Sequence, residues 1–156
     1  MKLRIISIGK VKQSFVLEGE AEYTKRLKSW CPIEFTEISN EKGASLPEET
    51  AKKLEAESLL KQIERDDFLI VLDERGKQKN SIELSNLLSS KMNEGIKNVT
   101  FAIGGAYGWD DAVRKRAHLL LSLSSLTFTY QMTRLILVEQ LYRAFTLIKG
   151  VPYHKK

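Results

Sequence analysis

Phe68-Leu69-Ile70-Val71-Leu72 is apolar at every position, and no other feature of the chain narrows its fold as much. Successive side chains of a strand point to opposite faces, so a run without alternation must be covered on both sides. That is the condition of a strand inside a parallel sheet flanked by helices. Val99-Thr100-Phe101-Ala102-Ile103 and His118-Leu119-Leu120-Leu121-Ser122-Leu123 are similar runs, and Leu3 to Ile8, closed by Gly9, reads as a short buried strand. Ile33 to Ile38 alternates instead, with Ile33, Phe35 and Ile38 set against Glu34, Thr36 and Glu37, which suits a half-exposed strand.

Helical patterns separate these runs. Phe15, Leu17, Ala21, Tyr23, Leu27 and Trp30 mark an amphipathic helix with Lys25, Arg26 and Lys28 on its other side, ending near Pro32. The polar stretch Ser39 to Ser45, with Gly43, is a loop. Pro47, Glu48 and Glu49 suit the first turn of a helix that runs to about Arg65. Asp73 to Lys77 closes the third strand as a turn, and Ser81 opens a helix through Met92 that ends at Gly95. A short helix begins at Asp110 and Asp111, and the last helix spans Gln131 to Lys149 with a stop at Gly150. The expectation is α/β, a mainly parallel sheet flanked by helices, in a single domain over residues 1–156.

Several function classes fall away. No G-x-x-x-x-G-K-[ST] is present, and no G-x-G-x-x-G opens a helix after the first strand, which disfavours NTPases and ordinary dinucleotide enzymes. His118 and His154 stand apart, so no metal site is expected, and no serine occupies a G-x-S-x-G elbow. The single Cys31 allows no internal disulfide and fits a reducing compartment. The apolar stretches are short for a membrane span, and Met1-Lys2-Leu3-Arg4 leads into a strand, so neither a membrane span nor a signal peptide is expected. A net charge of +5 leans towards a polyanionic partner such as RNA, with Lys25, Arg26 and Lys28 adding salt-dependent affinity.

Two strand ends break into small residues, Gly104-Gly105 after one and Ser124-Ser125 after the next. An open α/β sheet holds ligands at the carboxyl ends of its strands, so these loops are the candidate binding site. In the last helix, Glu139 and Arg143 have the spacing of an intrahelical ion pair, which leaves Arg134 and Tyr142 without a role. That helix is apolar around much of its circumference, through Leu135, Ile136, Leu137, Val138, Leu141, Phe145, Leu147 and Ile148. One packed face needs only one stripe, so a second subunit is expected against the other side.

Four ordered motifs together carry a resemblance. Ile103-Gly104-Gly105-x-x-Gly108, Leu121-Ser122-Leu123-Ser124-x-Leu126-Thr127, the Arg134 to Ala144 stretch with Glu139-Gln140-x-Tyr142-Arg143, and Pro152-Tyr153-His154 resemble the SPOUT-class (α/β-knot) methyltransferases. Within that class the likeness is to the bacterial large-subunit ribosomal RNA pseudouridine N3-methyltransferases, over essentially the whole chain. The resemblance implies a cytoplasmic homodimer that binds S-adenosyl-L-methionine at a C-terminal trefoil knot and acts on 23S ribosomal RNA in the assembled ribosome. It assigns the cofactor to Leu72, Gly104, Gly105, Leu123, Ser124, Ser125, Leu126, Thr127 and Phe128, and substrate or catalytic roles to Arg143, Tyr153 and His154.

One departure stands out: Thr129-Tyr130 occupies a place where similar proteins usually carry Pro-His. It motivates the rival reading, a non-enzymatic RNA-binding or ribosome-assembly factor on the same fold. For the enzymatic reading, the implied chemistry divides the three groups by type. Histidine is the side chain that exchanges protons near neutral pH, arginine is a permanent donor suited to uracil oxygens or phosphate, and tyrosine can stack on a base or hydrogen-bond to it.

Overall fold

The computed structural model describes residues 1–155, so Lys156, the end of the basic tail, lies outside the described residues. Strands and helices alternate: β1 (Lys2–Ile8), α1 (Ser14–Leu27), β2 (Ile33–Ile38), α2 (Glu48–Leu60), β3 (Phe68–Gln78), α3 (Ser81–Asn93), β4 (Asn98–Ile103), α4 (Asp111–Arg116), β5 (Leu119–Ser122) and α5 (Tyr130–Lys149). The strands form one sheet in the order β2-β1-β4-β3-β5, parallel throughout. The unalternating runs are covered on both sides, as their pattern requires. Leu3 and Ile5 of β1 join a core with Leu27, Leu88 and Leu137 of α1, α3 and α5. Ile6 and Ile8 join a second core with Ala56, Leu59 and Val113 of α2 and α4.

Charge, not apolar periodicity, sets the rotation of α1. Its buried residues are Val16, Glu20 and Leu27, whereas Phe15 (55% exposed), Leu17 (46%) and Ala21 face outward, against expectation. Arg134 of α5 is the cause. Its guanidinium meets both oxygens of Glu20 at 2.7 and 2.9 Å, reaches Glu37 at 3.1 Å and Ser7 at 3.3 Å, and lies 4.8 Å from the Phe35 ring centre. A buried guanidinium without carboxylates costs several kcal/mol, so α1 turns Glu20 inward and leaves Phe15 and Leu17 uncovered. Burial raises Glu20 above its ordinary value, and the Arg134 hydrogen bond and charge oppose that rise without cancelling it.

Two boundaries also differ from the sequence reading. α2 stops at Leu60, not near Arg65, because the chain turns to deliver Asp67 into the sheet's amino end. Asp67, 1% exposed, accepts hydrogen bonds from Arg4 at 2.7 Å, Asn98 at 2.9 Å, the Glu64 amide at 3.1 Å and Thr100 at 3.3 Å. The Asp73–Lys77 segment, expected as a turn, belongs to β3. Leu72 and Lys77 both register with Leu121, so the strand bulges between them and rejoins β5. Only glycine serves at position 76, where a Cβ would lie 2.6 Å from the Leu120 carbonyl.

His118 is a structural residue. Its Nδ1 accepts the Leu69 amide at 3.0 Å, and its ring stacks on Phe68 with 4.8 Å between centres.

Candidate functional site

The carboxyl ends of β3, β4 and β5 open into one cleft of about 1200 Å³. Leu72 ends the regular part of β3, Ile103 leads into Gly104-Gly105, and Leu121 leads into the segment Leu123 to Thr129. That segment holds its own shape. The Ser122 hydroxyl donates to the Ser124 carbonyl at 3.0 Å, and the Leu126 amide donates to the Ser124 hydroxyl at 2.9 Å. Thr129 then caps α5 by accepting from the Met132 amide at 3.3 Å. Tyr130 donates its hydroxyl to the Lys10 carbonyl at 2.7 Å and lays its ring against Gly9, so the Thr129-Tyr130 pair starts the helix and pins the loop after β1.

Leu72, Gly104, Gly105, Leu123, Ser124, Leu126, Thr127 and Phe128 all line this cleft. Ser125 is not among the lining residues; its hydroxyl accepts from Gln78 Nε2 at 2.9 Å and ties the loop to β3. The glycines have a more specific reason than general openness. A Cβ on Gly104 would stand 3.0 Å from the Trp109 indole, and one on Gly105 would stand 2.9 Å from a Glu55 oxygen. Side chains are missing there because the turn lies on Trp109 and Glu55.

Trp109 is 1% exposed and its indole N–H is buried without a partner among the described residues. Glu55 has one buried oxygen in the same condition, and burial alone pushes its carboxyl above the ordinary value. One wall of the cleft is charged. Asp73 binds Arg114 at 2.7 Å and accepts the Arg75 amide at 2.9 Å. Burial pushes the Asp73 carboxyl up, but the hydrogen bonds and charges of Arg114 and Arg75 outweigh it and hold the group below its ordinary value. Asp73, Arg114, Trp109, Lys52 and the half-exposed Phe15 and Tyr107 also line the cleft. Sequence reasoning did not select them, because each reaches the cleft from its own element.

Arg143, Tyr153 and His154 do not line this cleft. Tyr130 sits at the cleft end of α5 and Arg143 lies thirteen residues on, about 20 Å along the axis at 1.5 Å per residue. The three belong to a second cluster. Arg143 grips Glu139 at 2.6 and 3.1 Å, and its guanidinium lies 4.7 Å from the Tyr153 ring centre. Tyr153 donates its hydroxyl to Glu139 at 3.1 Å. Burial, then hydrogen bonds and charge from Tyr23 and Glu139, push that hydroxyl well above its ordinary range, so it stays a donor. The Nδ1 of His154 is buried and unpaired among the described residues.

The family described as "Predicted SPOUT methyltransferase" matches residues 1–154. The "Ribosomal RNA large subunit methyltransferase H" of Acetivibrio thermocellus is 44% identical over 159 aligned positions, covering 99% of this chain and all of that protein. The protein of the same name from Geotalea uraniireducens is 42% identical over 154, covering 99% of both. Among solved structures, the tRNA (m1G37) methyltransferase of Aquifex aeolicus aligns with a TM-score of 0.52 at 18% identity, over 92% of this chain and 70% of that one. A probable methylase family protein from Haemophilus influenzae aligns at 0.53 and 13% identity, over 99% and 70%. At such identities these two structures show a shared fold.

Proposed function

Because the chain belongs to the SPOUT methyltransferase family, we propose that it methylates N3 of a pseudouridine in large-subunit 23S ribosomal RNA, using S-adenosyl-L-methionine. The observation that carries this reading is the cleft at the sheet's carboxyl ends. Eight of the nine residues that the resemblance assigns to the cofactor line it.

The cleft fits that cofactor. Leu72, Leu121, Leu123, Leu126 and Phe128 offer an apolar slot for a flat heterocycle. The loop backbone offers donors for polar groups. When bound, S-adenosyl-L-methionine supplies a methyl group on a sulfonium centre. Leu72, Gly104, Gly105, Leu123 to Leu126, Thr127 and Phe128 would hold it, Ser125 by fixing the loop to β3. The glycine turn, resting on Glu55 and Trp109, keeps that side of the cleft in one shape, and alignment alone supplies several kcal/mol of a barrier.

The second cluster handles the base. Pseudouridine N3 must lose its proton as it is methylated. His154 is the group suited to take that proton, at the ring nitrogen other than the buried Nδ1. Arg143 donates to the oxygen on which charge develops, and Tyr153, kept protonated, donates or stacks. These groups lie far along α5 from the cleft of their own chain, so a single copy does not join both halves. A homodimer joins them, with α5 against its symmetry mate and one protomer's tail at its partner's cleft. Met132, Leu135 and Ile136 are half-buried on α5 and fit that contact.

The family's trefoil knot is part of the same reading. It is supported by the close passage of Gly76 over the Leu120 backbone and by α5 packing between α1 and α3. Among the described residues no helix is long and apolar enough to cross a membrane, and a cytoplasmic site of action accords with a ribosomal substrate.

The test is incorporation of labelled methyl from S-adenosyl-L-methionine into isolated large subunits, assembled ribosomes and free 23S RNA, with the product mapped by mass. Methylation at a pseudouridine supports the reading. Absence of transfer on all three substrates overturns it and favours the assembly factor.

A further inference from the structure

Four aromatic rings, from α1, the turn after it, α5 and the tail, meet beside Arg143. Tyr142 of α5, 9% exposed, is their centre: Trp30 stacks on it at 5.9 Å and 5°, Tyr23 of α1 tilts against it at 5.8 Å, and Tyr153 meets it edge-on at 4.8 Å. Packing accounts for the rings. It does not account for the cation among them. The Arg26 guanidinium lies 5.7 Å from the Tyr23 centre and 5.6 Å from that of Tyr142. Its side chain is 44% exposed, and its one carboxylate partner among the described residues is Glu22, a turn away on the same helix, at 2.9 Å. Arg143 stands over Tyr153 and Arg26 over Tyr142, and those two rings touch. Two guanidinium groups therefore flank one aromatic pair.

We propose that Arg26 is a substrate-contacting residue of the methylation site, donating to a carbonyl oxygen of the uracil-type base, with Tyr23 and Tyr142 holding its guanidinium in place. The proposal rests on the methyltransferase reading above. N3 of such a ring lies between two carbonyl groups, and the negative charge left when its proton departs spreads over both oxygens. Arg143 alone addresses one of them; a second guanidinium on the same aromatic pair provides for the other. A planar fork braced by ring faces is suited to this task, and a lysine is not. Lys25 and Lys28, exposed on the same stretch, have no such bracing among the described contacts and are suited to phosphate.

The experiment compares Arg26→Ala, Arg26→Lys and Lys25→Ala with the wild-type chain on large-subunit ribosomal RNA. It reads kcat at saturating RNA, the salt dependence of RNA binding, and cofactor affinity by calorimetry. Arg26 is exposed, so the variants fold. Arg26→Ala is expected to lower kcat about 100-fold, the usual scale for removing one donor from developing charge, with cofactor affinity and salt slope unchanged. Arg26→Lys is expected to recover little of that loss. Lys25→Ala is expected to raise KM and reduce the salt slope by about one charge. Wild-type kcat in Arg26→Ala, full recovery in Arg26→Lys, or a loss confined to KM and the salt slope would overturn the proposal while leaving the methyltransferase reading intact. A wild-type chain that transfers no methyl overturns both.

Discussion

Arg134 and Arg143 stand on one helix, each pairs with a glutamate, and they serve different ends. Arg134 is 5% exposed and closed: Glu20, Glu37 and Ser7 take hydrogen bonds from its two terminal nitrogens, its Nε lies 2.7 Å from Glu20 in ion-pair contact, and Phe35 covers its face. Arg143 is open, with a side chain 24% exposed, one carboxylate partner among the described residues and a face over the half-buried Tyr153. A guanidinium whose donors are spent inside the protein holds elements together. One with donors to spare at a surface can still bind something else. Residue type and a nearby acid do not separate the two; the number of internal partners does.

Removing each arginine breaks the comparison most directly. Arg134→Ala leaves Glu20 buried without its partner, and about 3–5 kcal/mol of stability should be lost, enough to unfold much of the protein. Urea unfolding measures it; a loss below 1 kcal/mol would show that the cluster is not closed in solution. Arg143→Ala should nearly keep its thermal midpoint, since an i,i+4 pair that solvent still reaches is worth about 0.5 kcal/mol and Glu139 keeps the Tyr153 hydroxyl as a donor. Its methyl transfer should fall 100-fold or more. An unstable Arg143→Ala, or a fully active one, would erase the distinction.

The helix between the two arginines offers the next test. Leu141 belongs to the apolar circumference that suggests a second subunit, but it is 0% exposed within its own protomer, so Leu141→Glu would break the fold. Ile136 is half-buried, and Ile136→Glu should give a folded monomer by light scattering that binds cofactor and transfers no methyl. A folded, active monomer would place the open cluster within reach of its own cleft.

At the glycine turn the contrast takes a third form, Glu55, an acid with one buried oxygen unpaired among the described residues. Gly105→Val meets the end of the Glu55 side chain, which can swing aside, and should cost about 1 kcal/mol or less. The Glu55→Ala background should relieve most of that cost, since it removes the atoms in the way. If stability returns and calorimetry still finds no cofactor binding, the turn needs its openness on the ligand side as well.

The smallest effect belongs to His118. Burial, then the charges of Arg116 and Lys91, lower its value from the ordinary one near 6.5, and it accepts the Leu69 amide while neutral. A histidine lowered in the folded state contributes stability that is complete above its unfolded value and is lost as pH falls below it. Unfolding midpoints at pH 7.5 and 5 should therefore drop more for the wild type than for His118→Asn. Equal drops would assign the acid sensitivity elsewhere.

The strand–helix order was legible because every unalternating run demands cover on both faces, and only helices between parallel strands supply it. The Gly104-Gly105 turn and the Ser124 to Phe128 loop were legible for a related reason: both directly follow such runs, so they had to lie at the carboxyl end of the sheet. Motif order carried the rest of the residues proposed for the cofactor. What stayed hidden depends on distances between elements. Arg134 and Glu20 are far apart in the chain, and no periodicity in α1 hints that a carboxylate would displace Phe15 and Leu17 from the core. The extension of β3 to Gln78 likewise depends on β5 accepting a bulged neighbour, which the polar residues Asp73 to Lys77 gave no reason to expect. Sequence determines which segments must be buried, because apolar pattern is a local property. Which charges are closed off and which remain open was decided by the tertiary structure, since a guanidinium's partners come from whatever element folding brings beside it.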